Sequence, residues 1–255
     1  MNAFHYKNGE LFCEDVAVRG IVEKTKTPVF IYSENYMKQQ FSDFSKTFPE
    51  KHITCFAVKA NNNLSLLKIL SNLGSGADIV SGGELYISKK ANIPSSKIVF
   101  AGVGKEDWEI EYALSEDILM FNVESLSELK KINEIACSKR KKARVALRIN
   151  PDIDPKTHPH ISTGLRKNKF GIPYDEALDV YQYAKNLRCI DVAGIHFHIG
   201  SQLTDLSPLR ESSERIFQLV LKLKQENINI RYIDVGGGLG IRYRDETVPS
   251  LDEYR

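Results

Sequence analysis

A lysine at the end of an apolar run is the first residue of this sequence whose setting suggests chemistry. The stretch FAVKANNN, residues 56–63, places Lys59 after a predicted buried strand and before three asparagines. Burial of an amine at the rim of a sheet disfavours its charged form and lowers its pKa. A neutral lysine amine can attack a carbonyl group and form a Schiff base. The alternative is that Lys59 is simply the first solvated residue after the strand.

Three consecutive glycines follow a later apolar run, in IDVGGGLGI. Gly236, Gly237 and Gly238 leave backbone N–H groups unobstructed by Cβ atoms, which suits the close approach of a phosphate. The alternative is a glycine-rich turn that serves only tight packing. A dinucleotide-binding turn explains the stretch poorly, because it comes late in the chain and lacks the G-x-G-x-x-G spacing.

Two histidines end another apolar run, in GIHFHIGSQ. His196 and His198 are two residues apart, so on a continuous strand their side chains share one face. Ser201 follows them and offers a hydroxyl group to a phosphate. An H-x-H pair can also bind a metal, and Asp78 and Asp234 are the carboxylates that could complete such a site. A metal-dependent hydrolase therefore stays open as an alternative function.

Charged residues also stand at the ends of other predicted strands. ADIVSGGEL contains Asp78 and, in the first turn of the following helix, Glu84, where the helix dipole favours a carboxylate. LRINP places Arg148 in an apolar strand, and a buried arginine needs a partner, for which Asp78 or Glu84 could serve. HPHISTGLRKNKFGI is a long polar loop, interpreted as a lid over a small-molecule site or as a surface excursion.

The elements that position these residues alternate between strands and helices from about residue 53 onward. Seven apolar runs predict strands, and amphipathic segments such as LSLLKILSNLG lie between them. SLSELKKINEIAC begins with the pattern of a capping box, Ser125 followed by Glu128. The alternation predicts a parallel sheet buried on both faces, as a doubly wound sheet or a (β/α)8 barrel. A closed barrel would need one strand more than the seven.

Composition narrows the class of protein. The 255 residues include 35 basic and 33 acidic side chains, and a net charge of +2 argues against nucleic acid or an anionic membrane as the main partner. No apolar stretch approaches the roughly 18 residues that span a bilayer, and the N-terminus has no apolar signal segment. The four cysteines are widely spaced, and we expect them to be reduced thiols in a cytoplasmic protein: Cys13, Cys55, Cys137 and Cys189.

Taken together, the motifs resemble the fold-type III pyridoxal-phosphate decarboxylases over nearly the whole chain. The ordered set is FAVKAN, ADIVSGGEL, FAGVGK, FNVES, LRINP, HPHISTGLRKNKFGI, HFHIGSQ and DVGGGLGI. HPHISTG, KFG and HIGSQ favour the diaminopimelate branch over the ornithine and arginine branches. The resemblance implies an α/β fold, an alanine-racemase-like (β/α)8 TIM barrel. It also implies a lyase that converts meso-2,6-diaminopimelate to L-lysine and carbon dioxide.

The same resemblance assigns roles to the residues at the strand ends. Lys59 would hold pyridoxal 5'-phosphate covalently, and His198 would stack on its ring as the second catalytic residue. The phosphate would be held by Ser201, Gly236, Gly237 and Gly238. Supporting residues near the covalent bond would be Asp78, Glu84 and Arg148, and the substrate entrance would lie near Thr163 and Gly164. No metal is implied.

Members of this family continue into an eighth strand and a C-terminal β-domain. The resemblance implies that residues 1–32 form an N-terminal segment that joins such a domain, and that residues 33–255 form an incomplete barrel. We therefore expect the chain as given to be a fragment that decarboxylates poorly, and the full-length form to be a homodimer acting on an amino acid. The remaining alternatives are a single-domain carrier of the cofactor, which would lack the HPHISTG and HIGSQ motifs, and a non-catalytic scaffold.

Overall fold

The N-terminal part of the chain is a small antiparallel sheet followed by two helices. The computed structural model describes residues 3–49, 51–154 and 170–255. Its first elements are β1 (Phe4–Lys7), β2 (Glu10–Cys13), β3 (Val16–Ala17), α1 (Val18–Thr25) and α2 (Glu34–Thr47). Ser33 begins α2, because its hydroxyl group accepts the Tyr36 N–H at 3.0 Å. A domain boundary at residue 32 stays a prediction.

Strands and helices alternate through the rest of the described chain. In order they are β4 (Cys55–Ala57), α3 (Leu64–Asn72), β5 (Gly76–Ile79), α4 (Gly82–Lys90), β6 (Ile98–Phe100), α5 (Asp107–Ser115), β7 (Met120–Val123), α6 (Leu126–Ser138), β8 (Ala143–Asn150), β9 (Ile172–Pro173), α7 (Ala177–Lys185), β10 (Ile190–His196), α8 (Ser207–Gln225), β11 (Tyr232–Asp234) and α9 (Leu251–Tyr254). The seven predicted strands are confirmed, and β9 is an addition. Within these ranges, no helix is both long enough and apolar enough to cross a membrane.

Seven of the strands form one parallel sheet, in the order β11-β10-β8-β7-β6-β5-β4, and β9 pairs with β8. The sheet is rolled, because Asn122 on β7 donates a hydrogen bond to Asp234 on β11 at 2.8 Å although two strands lie between them. A contact across the concave face decides for a barrel over a doubly wound sheet. Among the described residues, β4 and β11 remain its two edges.

The core of the barrel and its helices is packed with apolar side chains. Phe100 on β6 and Phe121 on β7 stack with ring centroids 6.0 Å apart, and both are fully buried. Tyr181 on α7 is also buried, and its hydroxyl group donates to the Gly194 carbonyl at 2.9 Å. A Cβ at Gly194 would lie 2.8 Å from the Tyr232 carbonyl oxygen, so β10 and β11 pack this closely only because that residue is glycine.

The prediction that all four cysteines are reduced thiols is wrong for two of them. Cys137 and Cys189 form a disulfide with their Cα atoms 5.4 Å apart, while Cys13 and Cys55 are free. Cys137 lies near the end of α6 and Cys189 lies just before β10. The pairing joins residues separated by 52 positions, a proximity that only the folded topology creates.

Candidate functional site

Lys59 lies in a short 3-10 turn, Val58–Ala60, directly after β4. The strand ends at Ala57, so Lys59 does not continue the alternation of Cys55 and Ala57 that the sequence suggested. Val58 is fully buried and fixes the turn against the core, whereas Lys59 is exposed. The amine therefore lies at the carboxyl end of the sheet, the end at which barrel enzymes carry out their chemistry.

The asparagines after Lys59 start the next helix. The Asn61 side chain accepts the Asn63 N–H at 3.0 Å, and the Asn63 side chain accepts the Ser65 N–H at 2.9 Å at the beginning of α3. An asparagine oxygen at this place satisfies backbone N–H groups that lack a partner inside the helix. The asparagine run therefore begins α3 soon after the lysine turn, and Lys59 remains exposed.

Two carboxyl groups lie beside Lys59. Asp78 is on β5, level with Ala57, and its buried Oδ1 has no hydrogen-bond partner. Burial, and then the nearby Asp234 carboxylate, raise the pKa of Asp78 to about 7, while Lys59 opposes this rise. The Glu84 carboxylate accepts the Val80 N–H at 2.8 Å, and burial raises its pKa against the effect of Lys59. Electrostatic coupling to both acids indicates that Lys59 faces the site.

His198 lies just beyond β10, so the expected strand alternation of His196 and His198 ends at His196. The His198 Nδ1 atom accepts the Gly237 N–H at 3.3 Å, which assigns a neutral ring its proton on Nε2. Burial, and then the nearby Arg148 guanidinium, lower the pKa of His198 to about 3. The ring is therefore uncharged at neutral pH, and Lys59 is among the cations that keep it so.

The triple glycine packs against the segment that follows β10. A Cβ at Gly238 would lie 2.0 Å from the Gly200 carbonyl oxygen, and a Cβ at Gly236 would lie 2.8 Å from His198 Nδ1. The two segments are also joined by the Leu203 N–H, which donates to the Gly238 carbonyl at 2.7 Å. A Cβ at Gly237 would meet nothing within 4 Å. Tight packing thus explains two of the glycines, and open space surrounds the middle one.

Arg148 is buried, and its partner is a residue that the sequence analysis missed. Its guanidinium binds the Glu124 carboxylate at 2.8 and 3.1 Å, and it lies 5.0 Å from the centre of the Phe170 ring. Asp78 and Glu84, the partners considered from sequence, do not fill this role. Glu124 stands in FNVES, one residue after β7, and the end of that strand was the available signal.

Further polar groups surround Asp234 inside the barrel. Asn122 donates to it at 2.8 Å, and His196 lies level with it on the neighbouring strand. The Asn122 Oδ1 and His196 Nδ1 atoms are buried without a hydrogen-bond partner, as is Asp78 Oδ1. Burial lowers the pKa of His196, and the Asp234 carboxylate opposes that change. The floor of the site is therefore polar, although the strands around it are apolar.

The other predicted residues fall in two places. Ser201 is exposed and follows Gly200 in the segment joined to the triple glycine. Thr163 and Gly164 lie outside the described residues. Across the described ranges, no group of three or more histidine, cysteine, aspartate or glutamate side chains could hold a metal ion. The hydrolase alternative therefore has no ligand set in this part of the chain.

Comparison with known proteins agrees with this arrangement. The family model described as pyridoxal-dependent decarboxylase, pyridoxal binding domain, matches residues 34–255. Diaminopimelate decarboxylase of Aquifex aeolicus is 52% identical over 94% of this chain. The enzyme of the same name from Haemophilus influenzae is 46% identical over 100% of it. The chain spans 57% of the first relative's length and 61% of the second's.

The solved structures show the same fold. Diaminopimelate decarboxylase from Helicobacter pylori, complexed with L-lysine, superposes with a TM-score of 0.90 at 46% identity, covering 93% of this chain and 60% of that one. The enzyme from M. jannaschii, also in complex with L-lysine, gives a TM-score of 0.91 at 42% identity over 99% of this chain and 60% of that one.

Proposed function

The chain belongs to the family of pyridoxal-dependent decarboxylases, and we propose that it forms the cofactor-binding barrel of a diaminopimelate decarboxylase. The observation that carries this proposal is the exposed Lys59, which lies beside Asp78, Glu84 and His198 at the carboxyl end of the sheet. The positive charge of Lys59 lowers the pKa of both Asp78 and Glu84, which places the amine close to the two carboxyl groups.

The residues around Lys59 fit pyridoxal phosphate. Lys59 provides the amine for covalent attachment, and the partnerless Asp78 Oδ1 provides a polar group facing the same space. His198 offers an uncharged aromatic ring, which can lie against a flat heterocycle without the desolvation cost of a cation. The open space at Gly237, together with the exposed Ser201, leaves room for a phosphate beside the triple glycine.

The charges around the site suit the chemistry. Pyridoxal phosphate, when bound, provides an electron sink for the carbanion left by loss of carbon dioxide. With a pKa of about 7, Asp78 is partly protonated at neutral pH and therefore offsets the charge of Lys59 only in part, while Glu84 is a second acid near Lys59. Burial, and then the Arg148 guanidinium that Glu124 fixes, lower the pKa of His198 and keep that ring neutral.

The substrate is the finer part of the proposal. We assign meso-2,6-diaminopimelate, decarboxylated to L-lysine in lysine biosynthesis, because the relatives carry that name and two of their structures contain L-lysine. Thr163 and Gly164 are proposed to lie near the substrate entrance, and residues 33–255 are proposed as the barrel. A homodimeric assembly of the full-length form and a cytoplasmic location complete the proposal. Light scattering at micromolar protein concentration would test the dimer.

A covalent labelling experiment tests cofactor binding at Lys59. Pyridoxal phosphate is added to the purified chain, the absorbance near 420 nm is recorded, roughly where a protonated Schiff base absorbs, and the mixture is reduced with borohydride. We expect one cofactor per chain after reduction, on the peptide that contains Lys59. Lys59→Ala should show neither the absorbance band nor the label.

Lys97→Ala is the matched control. Lys97 donates to the Gly74 carbonyl at 2.8 Å, near the amino end of β5 and away from the proposed site. This variant should be labelled like the parent chain. Labelling spread over several lysines, or undiminished in Lys59→Ala, would contradict the assignment. Release of L-lysine from meso-2,6-diaminopimelate tests the substrate separately.

A further inference from the structure

Lys105 is a second lysine at the carboxyl end of the sheet, and its side chain is completely buried. Its ammonium group donates to the Gly102 carbonyl at 2.7 Å, to the Asn122 carbonyl at 2.9 Å and to the Glu128 carboxylate at 2.7 Å. All three donor positions of an ammonium are thus used. A buried cation with so complete a set of partners is fixed in position, and it fixes them in turn.

The hydrogen bonds continue from Glu128 toward the candidate site. The second Glu128 oxygen accepts the backbone N–H of Glu124 at 2.8 Å. The Glu124 side chain, only 2% exposed, holds Arg148 at 2.8 Å. Arg148 also reaches the His198 carbonyl oxygen at 3.5 Å, a long contact. A continuous chain of charged and backbone groups therefore runs from Lys105 to the residue proposed to face the cofactor ring.

We propose that Glu128, which Lys105 holds in place, is a positioning residue that acts through Glu124 to orient Arg148. Lys105 fixes the Glu128 carboxylate, Glu128 fixes the backbone of Glu124, and Glu124 orients the guanidinium. The proposal rests on the proposed function in one respect, because Arg148 matters for cofactor binding only if the cofactor lies against His198.

The geometry favours this role over a general contribution to stability. A buried ion pair often stabilises a fold little more than an apolar pair of similar volume. Here, however, the ion pair makes a further contact, because the second carboxylate oxygen of Glu128 accepts the N–H of Glu124, the residue that binds Arg148. If positioning is the role, what matters is the acceptor presented to the Glu124 N–H, and not the charge of Lys105.

Two double variants separate these roles. Lys105→Met/Glu128→Gln removes both charges but leaves an amide oxygen that can accept the Glu124 N–H. Lys105→Met/Glu128→Leu removes the charges and that acceptor. Both replace the buried ion pair without leaving one charge unpaired, so both should fold. We expect the glutamine form to bind pyridoxal phosphate about tenfold more tightly than the leucine form. The leucine form lacks the acceptor for the buried Glu124 N–H, and the loss of one such hydrogen bond corresponds to roughly this factor.

A measurement without cofactor keeps the two proposals apart. The Nε–H signal of Arg148 in a ¹H–¹⁵N spectrum reports whether its guanidinium is held. It should stay near its parent position in the glutamine form and move or broaden in the leucine form. Ile132→Val, a buried change on α6 with no polar contact, is the control and should leave the signal in place.

The outcomes are distinct. If Arg148 responds as expected but the parent chain binds no pyridoxal phosphate, the proposed function fails and the positioning role stands. If the two double variants give the same Arg148 signal, the positioning role is wrong whatever the cofactor does. Equal cofactor affinities, within twofold, in a parent chain that binds pyridoxal phosphate would also overturn it.

Discussion

Glu84 and Glu128 occupy the same position in two βα turns of the barrel. In each turn the glutamate N–H donates to the serine that begins the helix, at 3.2 Å, and the carboxylate accepts the N–H of the residue before that serine, at 2.8 Å. The lysine that follows the preceding strand differs between the two cases. Lys105 is bonded to Glu128 at 2.7 Å, whereas Lys59 is exposed and influences Glu84 only through its charge.

This relationship predicts unequal effects of the same substitution. Glu128→Gln leaves Lys105 buried without a counter-charge, and we expect it to lower the free energy of unfolding by about 3 kcal/mol. Glu84→Gln keeps an acceptor for the Val80 N–H and strands no buried cation, so its cost should be below about 1 kcal/mol. Urea denaturation of the two variants measures both values. Equal losses in the free energy of unfolding would mean that the Lys105–Glu128 ion pair contributes no more to stability than the Glu84 hydrogen bond does.

The triple glycine offers a second matched pair. Gly238 has a φ of +106° and no space for a Cβ beside the Gly200 carbonyl, so Gly238→Ala should destabilise the fold by about 3 kcal/mol. Gly237 has open space, and Gly237→Ala should change stability by less than about 0.5 kcal/mol.

Cofactor affinity should respond to the middle glycine. A methyl group at Gly237 stands where the proposed phosphate would approach the backbone, so Gly237→Ala should weaken pyridoxal phosphate binding about tenfold while thermal stability stays unchanged. Fluorescence titration with the cofactor measures the affinity. An unaffected affinity would place the phosphate elsewhere.

The sequence predicted the strands because a parallel sheet buried on both faces needs nearly continuous apolar runs. It also located most of the polar groups at the strand ends. Their partners were harder to predict. Arg148 could have met several acids, and the choice of Glu124 depends on how far the barrel is rolled between β7 and β8.

Local geometry explains two further differences between the sequence prediction and the structure. The Ser125–Glu128 pattern predicts a reciprocal capping box, but the Glu128 side chain reaches past Ser125 to the Glu124 N–H, so only the serine half forms. Lys59 was expected on a strand, yet buried Val58 turns the chain one residue earlier. Neither outcome follows from periodicity, because both depend on contacts with neighbouring turns.

The raised pKa of Asp78 predicts a dependence of stability on pH. Its folded-state pKa of about 7 lies above the ordinary value of 3.8, so the folded state binds more protons between these values. The contribution of Asp78 to stability is then fully present below about pH 4 and is lost as pH rises through about 7. Asp78→Asn has no such proton to lose.

Denaturation of the parent chain and Asp78→Asn at pH 5 and pH 8 tests this sign. Relative to the parent, the asparagine variant should be more stable at pH 8 than at pH 5. Lys59→Ala should move the parent's transition to higher pH, because the Lys59 charge lowers the pKa of Asp78. A parent stability that rises between pH 6 and 8 relative to Asp78→Asn would contradict the burial of this acid.

The Cys137–Cys189 disulfide leads to the last prediction. The bond joins two residues that are 52 positions apart in the sequence. In the chain-entropy account, a disulfide that closes a loop of this length contributes up to about 4 kcal/mol by restricting the unfolded state. Reduction should therefore lower the free energy of unfolding of the parent chain. The double variant Cys137→Ser/Cys189→Ser should be insensitive to reductant, whereas Cys13→Ser, at a free cysteine, should respond like the parent. Alkylation of the unfolded, unreduced chain followed by mass measurement should find two free thiols, and four free thiols would contradict the disulfide.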